Sequence, residues 1–175
     1  FGRIGRNLFR ILYQSEAIRL AAISDIADHK ALEYLLRFDT ILGQFPDEVS
    51  IKEGHLYVAG RQIPMLSEKE PGDVPWGDLG VDVVIEATAR KWPRMKLEQH
   101  LARGAKRVIL CAPPQEPPDI TVVMGVNDEQ LTLEHRIVSN GSCTAHCAAP
   151  IIKVLHEAFG IRRAFLSTVH AYTNQ

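Results

Sequence analysis

Phe1-Gly2-Arg3-Ile4-Gly5-Arg6 runs straight into Asn7-Leu8-Phe9-Arg10-Ile11-Leu12, a glycine turn feeding a helix. Ile4, Leu8, Ile11 and Leu12 recur at helical spacing and predict one apolar face. The turn reads as the tail of a G-x-G-x-x-G loop whose first glycine lies before Phe1. In such a loop one glycine lets the backbone approach a pyrophosphate, and the next lets the helix pack closely on a strand. The amides at the helix N-terminus then face the phosphates. A G-x-x-G alone equally describes a glycine-capped helix start. Asp25 adds weight to the dinucleotide reading: it stands 20 residues after Gly5, at the end of the apolar run Leu20-Ala21-Ala22-Ile23-Ser24. A carboxylate there takes adenosine ribose hydroxyls, or simply ends the strand. It also repels a 2′-phosphate, which favours NAD, while His29 and Lys30 keep NADP open.

Outward from this turn, apolar strands alternate with amphipathic helices. Val81–Thr88, Arg107–Ala112, Ile120–Met124 and Arg136–Asn140 read as buried strands. Helices are expected from an Asp28 cap to Arg37, with Leu32, Leu35 and Leu36 inward, from Arg94 to Arg103 ahead of Gly104, and from Cys143 to Phe159 ahead of Gly160. Pro150 falls inside the last of these and predicts a kink. Residues 41–80 are more polar and read as hairpin-like strands and loops. The pattern predicts α/β: a Rossmann-type, doubly wound, mostly parallel sheet.

Composition removes several function classes. The 175 residues carry 20 Lys and Arg against 21 Asp and Glu, a formal net charge of −1, so neither a nucleic-acid arm nor a basic membrane-surface helix is expected. No apolar run approaches the roughly 18 residues of a membrane span. Three cysteines give no disulfide framework and suit a reducing compartment, so a cytoplasmic location is expected.

Ser139-Asn140-Gly141-Ser142-Cys143-Thr144-Ala145-His146-Cys147 carries the sharpest chemistry. Cys143 falls where a strand gives way to a helix, so first-turn amides would stabilise a thiolate. Cys147, one turn further on, is expected to be buried. Thr168-Val169-His170-Ala171 predicts a histidine within a strand, able to return toward Cys143 as the partner of a thiol nucleophile. The plainer readings are a small buried cysteine and a structural histidine. A zinc set of Cys143, His146, Cys147 and His170 is the competing reading; structural zinc favours paired knuckle ligands, and no metal is expected.

FGRIGRN at the start, FDTILGQFP from Phe38, MGVND from Met124, SNGSCTAHCAAP and STVHAYTN together resemble the phosphorylating glyceraldehyde-3-phosphate dehydrogenase family, in order and across essentially the whole chain. The resemblance implies an enzyme about twice this length, of which residues 1–142 would be the NAD-binding Rossmann domain, lacking its first strand, and 143–175 the opening of an α+β catalytic domain. It implies NAD-dependent oxidation and phosphorylation of glyceraldehyde 3-phosphate, with an erythrose-4-phosphate dehydrogenase-like enzyme or a catalytically impaired NAD-binding protein as alternatives. Cys143 matches the family's nucleophile and His170 its base. Ser142, Thr144 and Thr173 match hydroxyls that hold the sugar phosphate and inorganic phosphate. Gly2, Arg3, Ile4 and Asp25 match cofactor contacts, with Thr88 beside the adenine pocket. A homotetramer is implied as well.

The chain departs from the family pattern in several places. Gly141, Ala145 and His146 stand where Ala, Thr and Asn are usual, and Ala89 where a glycine is usual. Trp92 is a candidate for the adenine's aromatic wall. The acid usually found between Asn174 and Gln175 is absent. For His146 two readings stay open: it alters the electrostatics of the thiol, or it faces the helix surface.

Overall fold

The computed structural model describes residues 1–171, and Thr173 of the expected site lies outside them. Among the described residues four α-helices form: α1 Arg3–Leu12, α2 His29–Arg37, α3 Arg94–Ala102 and α4 Cys143–Phe159. Their ends follow the local chemistry. The Asp28 carboxylate caps α2 by accepting the Ala31 N–H at 3.0 Å. Gly160, left-handed at φ 68°, ends α4, where Pro150 lies inside the helix. Among the described residues no helix is long and apolar enough to cross a membrane.

The strands make two four-stranded sheets and a small hairpin, β2 Phe38–Asp39 with β3 Gly43–Gln44. In the first sheet β1 Ile23–Ser24 runs parallel to β6 Arg61–Leu66. It continues through the antiparallel strands β5 His55–Val58 and β4 Val49–Lys52. The second sheet is wholly parallel, in the order β7 Val83–Glu86, β8 Arg107–Leu110, β10 Ile137–Ser139, β9 Ile120–Thr121. The α/β, Rossmann-type reading holds, with strands shorter than the apolar runs that announced them.

Three packed clusters stabilise this arrangement. Phe9 of α1 and Tyr13 at its C-cap, Leu32 and Leu36 of α2, and Phe45 close over the antiparallel strands. Val74, Trp76, Val84 and Ala105 join the two sheets, with Ala22 and Leu66 packed against them. Leu97, Val108, Leu110 and Ile137 fix α3 on the parallel sheet. Two faces differ from expectation. In α1 the buried side chains are Arg6 and Phe9, followed by Tyr13, while Ile4 and Ile11 are exposed. The Phe9 and Tyr13 rings stack at 5.9 Å and meet Phe45, so the aromatic stripe wins the core over the aliphatic one. In α2 Leu35 is exposed, because only Leu32 and Leu36 share the inward row.

The turn before β7 meets the end of α3 backbone to backbone. Gly77 donates its N–H to the Arg103 carbonyl at 2.8 Å, and Gly104 sits at φ 108°. A Cβ on Gly104 would lie 2.5 Å from the Gly77 Cα.

Candidate active site

Asp25, Thr88, Ser142, Cys143 and Thr144 stand just beyond the carboxyl end of a parallel strand or on the helix that follows, the ligand-binding edge of an open α/β sheet, and Gly2, Arg3 and Ile4 form the N-terminus of α1. Register aligns this edge: Glu86 pairs with Leu110, and Leu110 with Ser139. Thr88 and Cys143 therefore project from the same side, two strands apart. Gly5 in the first turn of α1 faces Ala87, which brings that helix end to the same edge.

The N-terminus of α1 is free to receive an anion. Gly2 is its cap, no side chain caps the helix, and a Cβ on Gly2 would meet nothing within 4 Å. Uncapped first-turn amides over open space suit a pyrophosphate. Gly5 has less need to be glycine than expected, since a Cβ there would contact Phe1 and Ala87 at 3.7 and 3.9 Å, ordinary distances. Asp25 follows β1; its carboxylate accepts the Ala27 N–H at 2.8 Å and pairs with the Phe1 amine. Thr88 donates its N–H to Glu86 Oε1 at 2.7 Å, and Ala89 takes the left-handed conformation at φ 59° that the family's usual glycine adopts freely. Trp92 packs toward the Leu97–Ile137 cluster under the Arg90 guanidinium, 5.2 Å away, and its buried indole N–H has no partner among the described residues.

The thiol sits at the first position of α4. Ser142 caps that helix, its Oγ accepting the Ala145 N–H at 3.1 Å. Gly141 makes the preceding bend at φ 66°. His170 returns as expected: its ring meets Cys143 Sγ at 4.0 Å through Nδ1 and Thr144 Oγ1 at 3.3 Å through Nε2. It does so from irregular chain rather than a strand. Among the described residues nothing pairs with 161–171, and an extended segment without a ladder partner is not a strand. Cys147 is exposed, not buried, because among the described residues no core cluster packs on α4. Cys111 differs from both: burial, with the Glu86 charge adding, pushes its thiol up and keeps it protonated. His146 does not lie free on the helix surface: its Nε2 meets the Asn140 carbonyl at 2.6 Å.

One group has no counterpart in the sequence reading. Glu86, at the end of β7, is buried beside His100, which in turn accepts the Trp76 indole N–H on Nδ1 at 2.9 Å. That bond puts the ring proton of neutral His100 on Nε2, 3.7 Å from Glu86 Oε2, a close contact rather than a hydrogen bond. Burial pushes the Glu86 carboxyl up, but His100 and the Thr88 N–H outweigh it and hold it below the usual range.

An open helix N-terminus, an acid after β1 and a cysteine facing a histidine find their match in known sequences. Residues 1–92 match the family described as glyceraldehyde 3-phosphate dehydrogenase, NAD binding domain, and residues 142–175 its C-terminal domain. The chain belongs to the glyceraldehyde 3-phosphate dehydrogenase family. It is similar to glyceraldehyde-3-phosphate dehydrogenase 1 of Bacillus cereus, 46% identical over 99% of the chain and 52% of the relative. The glyceraldehyde-3-phosphate dehydrogenases of Streptomyces coelicolor and Thermotoga maritima are 48% and 49% identical, again over 99% of the chain and 52% and 53% of those proteins. The chain thus spans about half the length of the curated relatives it matches. NAD is the cofactor of the family domain to which residues 1–92 belong, and the open amides of α1 fit it.

Proposed function

We propose that the protein containing this chain oxidises glyceraldehyde 3-phosphate with NAD and inorganic phosphate to 1,3-bisphosphoglycerate. The observation that carries the reading is Cys143 at the start of an N-capped helix, with the His170 ring 4.0 Å from its sulfur, in a chain that carries the NAD-binding domain. The Cys143 thiolate adds to the aldehyde carbon, the carbonyl π pair moves to oxygen, and the protonated His170 ring gives that oxygen a proton, forming a thiohemiacetal. His170 takes the proton of that hydroxyl as the carbon–oxygen double bond reforms and the carbon loses hydride. NAD, when bound, supplies the hydride acceptor. A phosphate oxygen then attacks the acyl-thioester carbon, and Cys143 leaves as thiolate. Thr144 holds the other ring nitrogen of His170 and so fixes which one faces sulfur. Ser142 keeps a hydroxyl proton to donate to phosphate while its oxygen caps α4, and we assign Thr173 a similar part.

We take 1–142 as the NAD-binding unit and 143–175 as the opening of the catalytic unit. Its support is that the apolar side chains of α4 join none of the core clusters. The names of its relatives support a sugar-phosphate substrate, and we infer a cytoplasmic homo-oligomer, a tetramer by resemblance. The test is steady-state kinetics on the full-length protein. NADH should form with glyceraldehyde 3-phosphate only when phosphate is present, and Cys143→Ala should lower kcat by roughly ten-thousandfold or more, as loss of a covalent nucleophile does. Phosphate-independent oxidation of erythrose 4-phosphate in preference would sink the assignment.

A further inference from the structure

We propose that His146 is a positioning residue for the nucleophile: its imidazole clamps the Asn140 carbonyl and so holds the junction on which Cys143 sits. The proposal rests on Cys143 being the reacting thiol. Between the end of β10 and the start of α4 the chain leaves the ladder for three residues. Asn140 donates its N–H to the Leu110 carbonyl at 3.0 Å, and Gly141 donates to Ser139 Oγ at 3.1 Å. Ser142 receives the Ala145 N–H on its hydroxyl and the His146 N–H on its carbonyl. The Asn140 carbonyl has no backbone donor among the described residues, and the His146 ring supplies one at 2.6 Å.

A single residue thus ties the junction twice, by its N–H to Ser142 and by its ring to Asn140, with Cys143 between these anchors and itself. The clamp matters because of what it spans. Gly141, at φ 66°, is the most permissive bend available to a backbone and contributes no side chain to stiffen it. Without the ring, the Asn140 carbonyl loses its donor and the bend loses its outer restraint. The thiol is then displaced relative to His170, already 4.0 Å away. The donor is the Nε2 proton, present in both the neutral Nε2–H tautomer and the imidazolium, so the clamp needs no particular charge. A glutamine reaches a similar point with an N–H; an alanine reaches nothing.

The test uses the full-length protein as wild type, H146A and H146Q. Alkylation of Cys143 by iodoacetamide is followed by peptide mass mapping, alongside kcat and KM for aldehyde and NAD. Displacement of the thiol should slow alkylation and kcat roughly tenfold in H146A, with KM for NAD unchanged, while H146Q stays within about twofold of wild type. Wild-type alkylation in H146A overturns the proposal. So does H146Q falling as far as H146A, which would make the ring itself, not the clamp, the active feature, and this outcome stands even should H146A fold poorly. A wild type whose variants alkylate as expected, but which leaves phosphorylated aldehydes untouched, supports the positioning role and removes the proposed activity.

Discussion

Asp25 shows how much one side chain at a strand end decides. Its carboxylate is already oriented by the Ala27 N–H, a fixed acceptor for the ribose it is expected to bind. Asp25→Ala should weaken NAD binding by roughly ten- to a hundredfold, for the loss of about 1.5–3 kcal/mol in charged hydrogen bonds. It should also narrow the preference over NADP; calorimetric titration with both dinucleotides measures the two effects, and an unchanged NAD affinity would contradict the assignment. Residues of this kind were legible because their chemistry is unusual for their setting: an acid after an apolar run, a cysteine after Ser-Asn-Gly-Ser. Glu86 was not legible, because a carboxylate within Val-Val-Ile-Glu gives no sign that Trp76 and His100, distant in sequence, will surround it.

At the scale of elements, local rules set the ends of helices well and their faces less well. Asp28, Gly104 and Gly160 announce where helices start and stop, since caps act on groups a few residues away. The buried face of α1 depends on what lies opposite, and only the fold brings Phe45 to Phe9 and Tyr13. The return of His170 was legible, but its strand was not, because ladder partners are a long-range property. Two substitutions test elements directly. Ser142→Ala removes the α4 cap and should cost about 1 kcal/mol. Ala89→Gly relieves a left-handed L-residue and should stabilise by up to about 1 kcal/mol, the strain of about 1–2 kcal/mol being partly offset by glycine's entropy. Denaturant titration of each variant checks both signs.

Across the whole molecule, two hydrogen-bonded sheets are joined by side-chain packing around Trp76 and Val84, and the buried acid next to that cluster sets an acid limit. The Glu86 carboxyl lies below its usual value of 4.5 in the folded chain. Its contribution is therefore complete above that value and is lost as pH falls through the lower, folded one. Glu86→Gln should destabilise at pH 7 by about 1–3 kcal/mol and flatten the acid limb of the stability curve; melting temperatures from pH 7 to pH 3 would show the two curves converging. Parallel curves would place the acid sensitivity elsewhere. The architecture as a whole was legible from alternating apolar runs, whereas the split into two sheets was not, since no local pattern records which strands become neighbours.

The backbone contact between Gly77 and Gly104 has a consequence for how this sequence can drift. Nineteen amino acids carry a Cβ, and each would put that atom 2.5 Å from a main-chain carbon that has no rotamer to escape into. No missense change in the Gly104 codon offers a neutral first step, and relief would require a simultaneous shift of the turn around Gly77. In a library of random variants selected for folding, this codon should return synonymous changes alone.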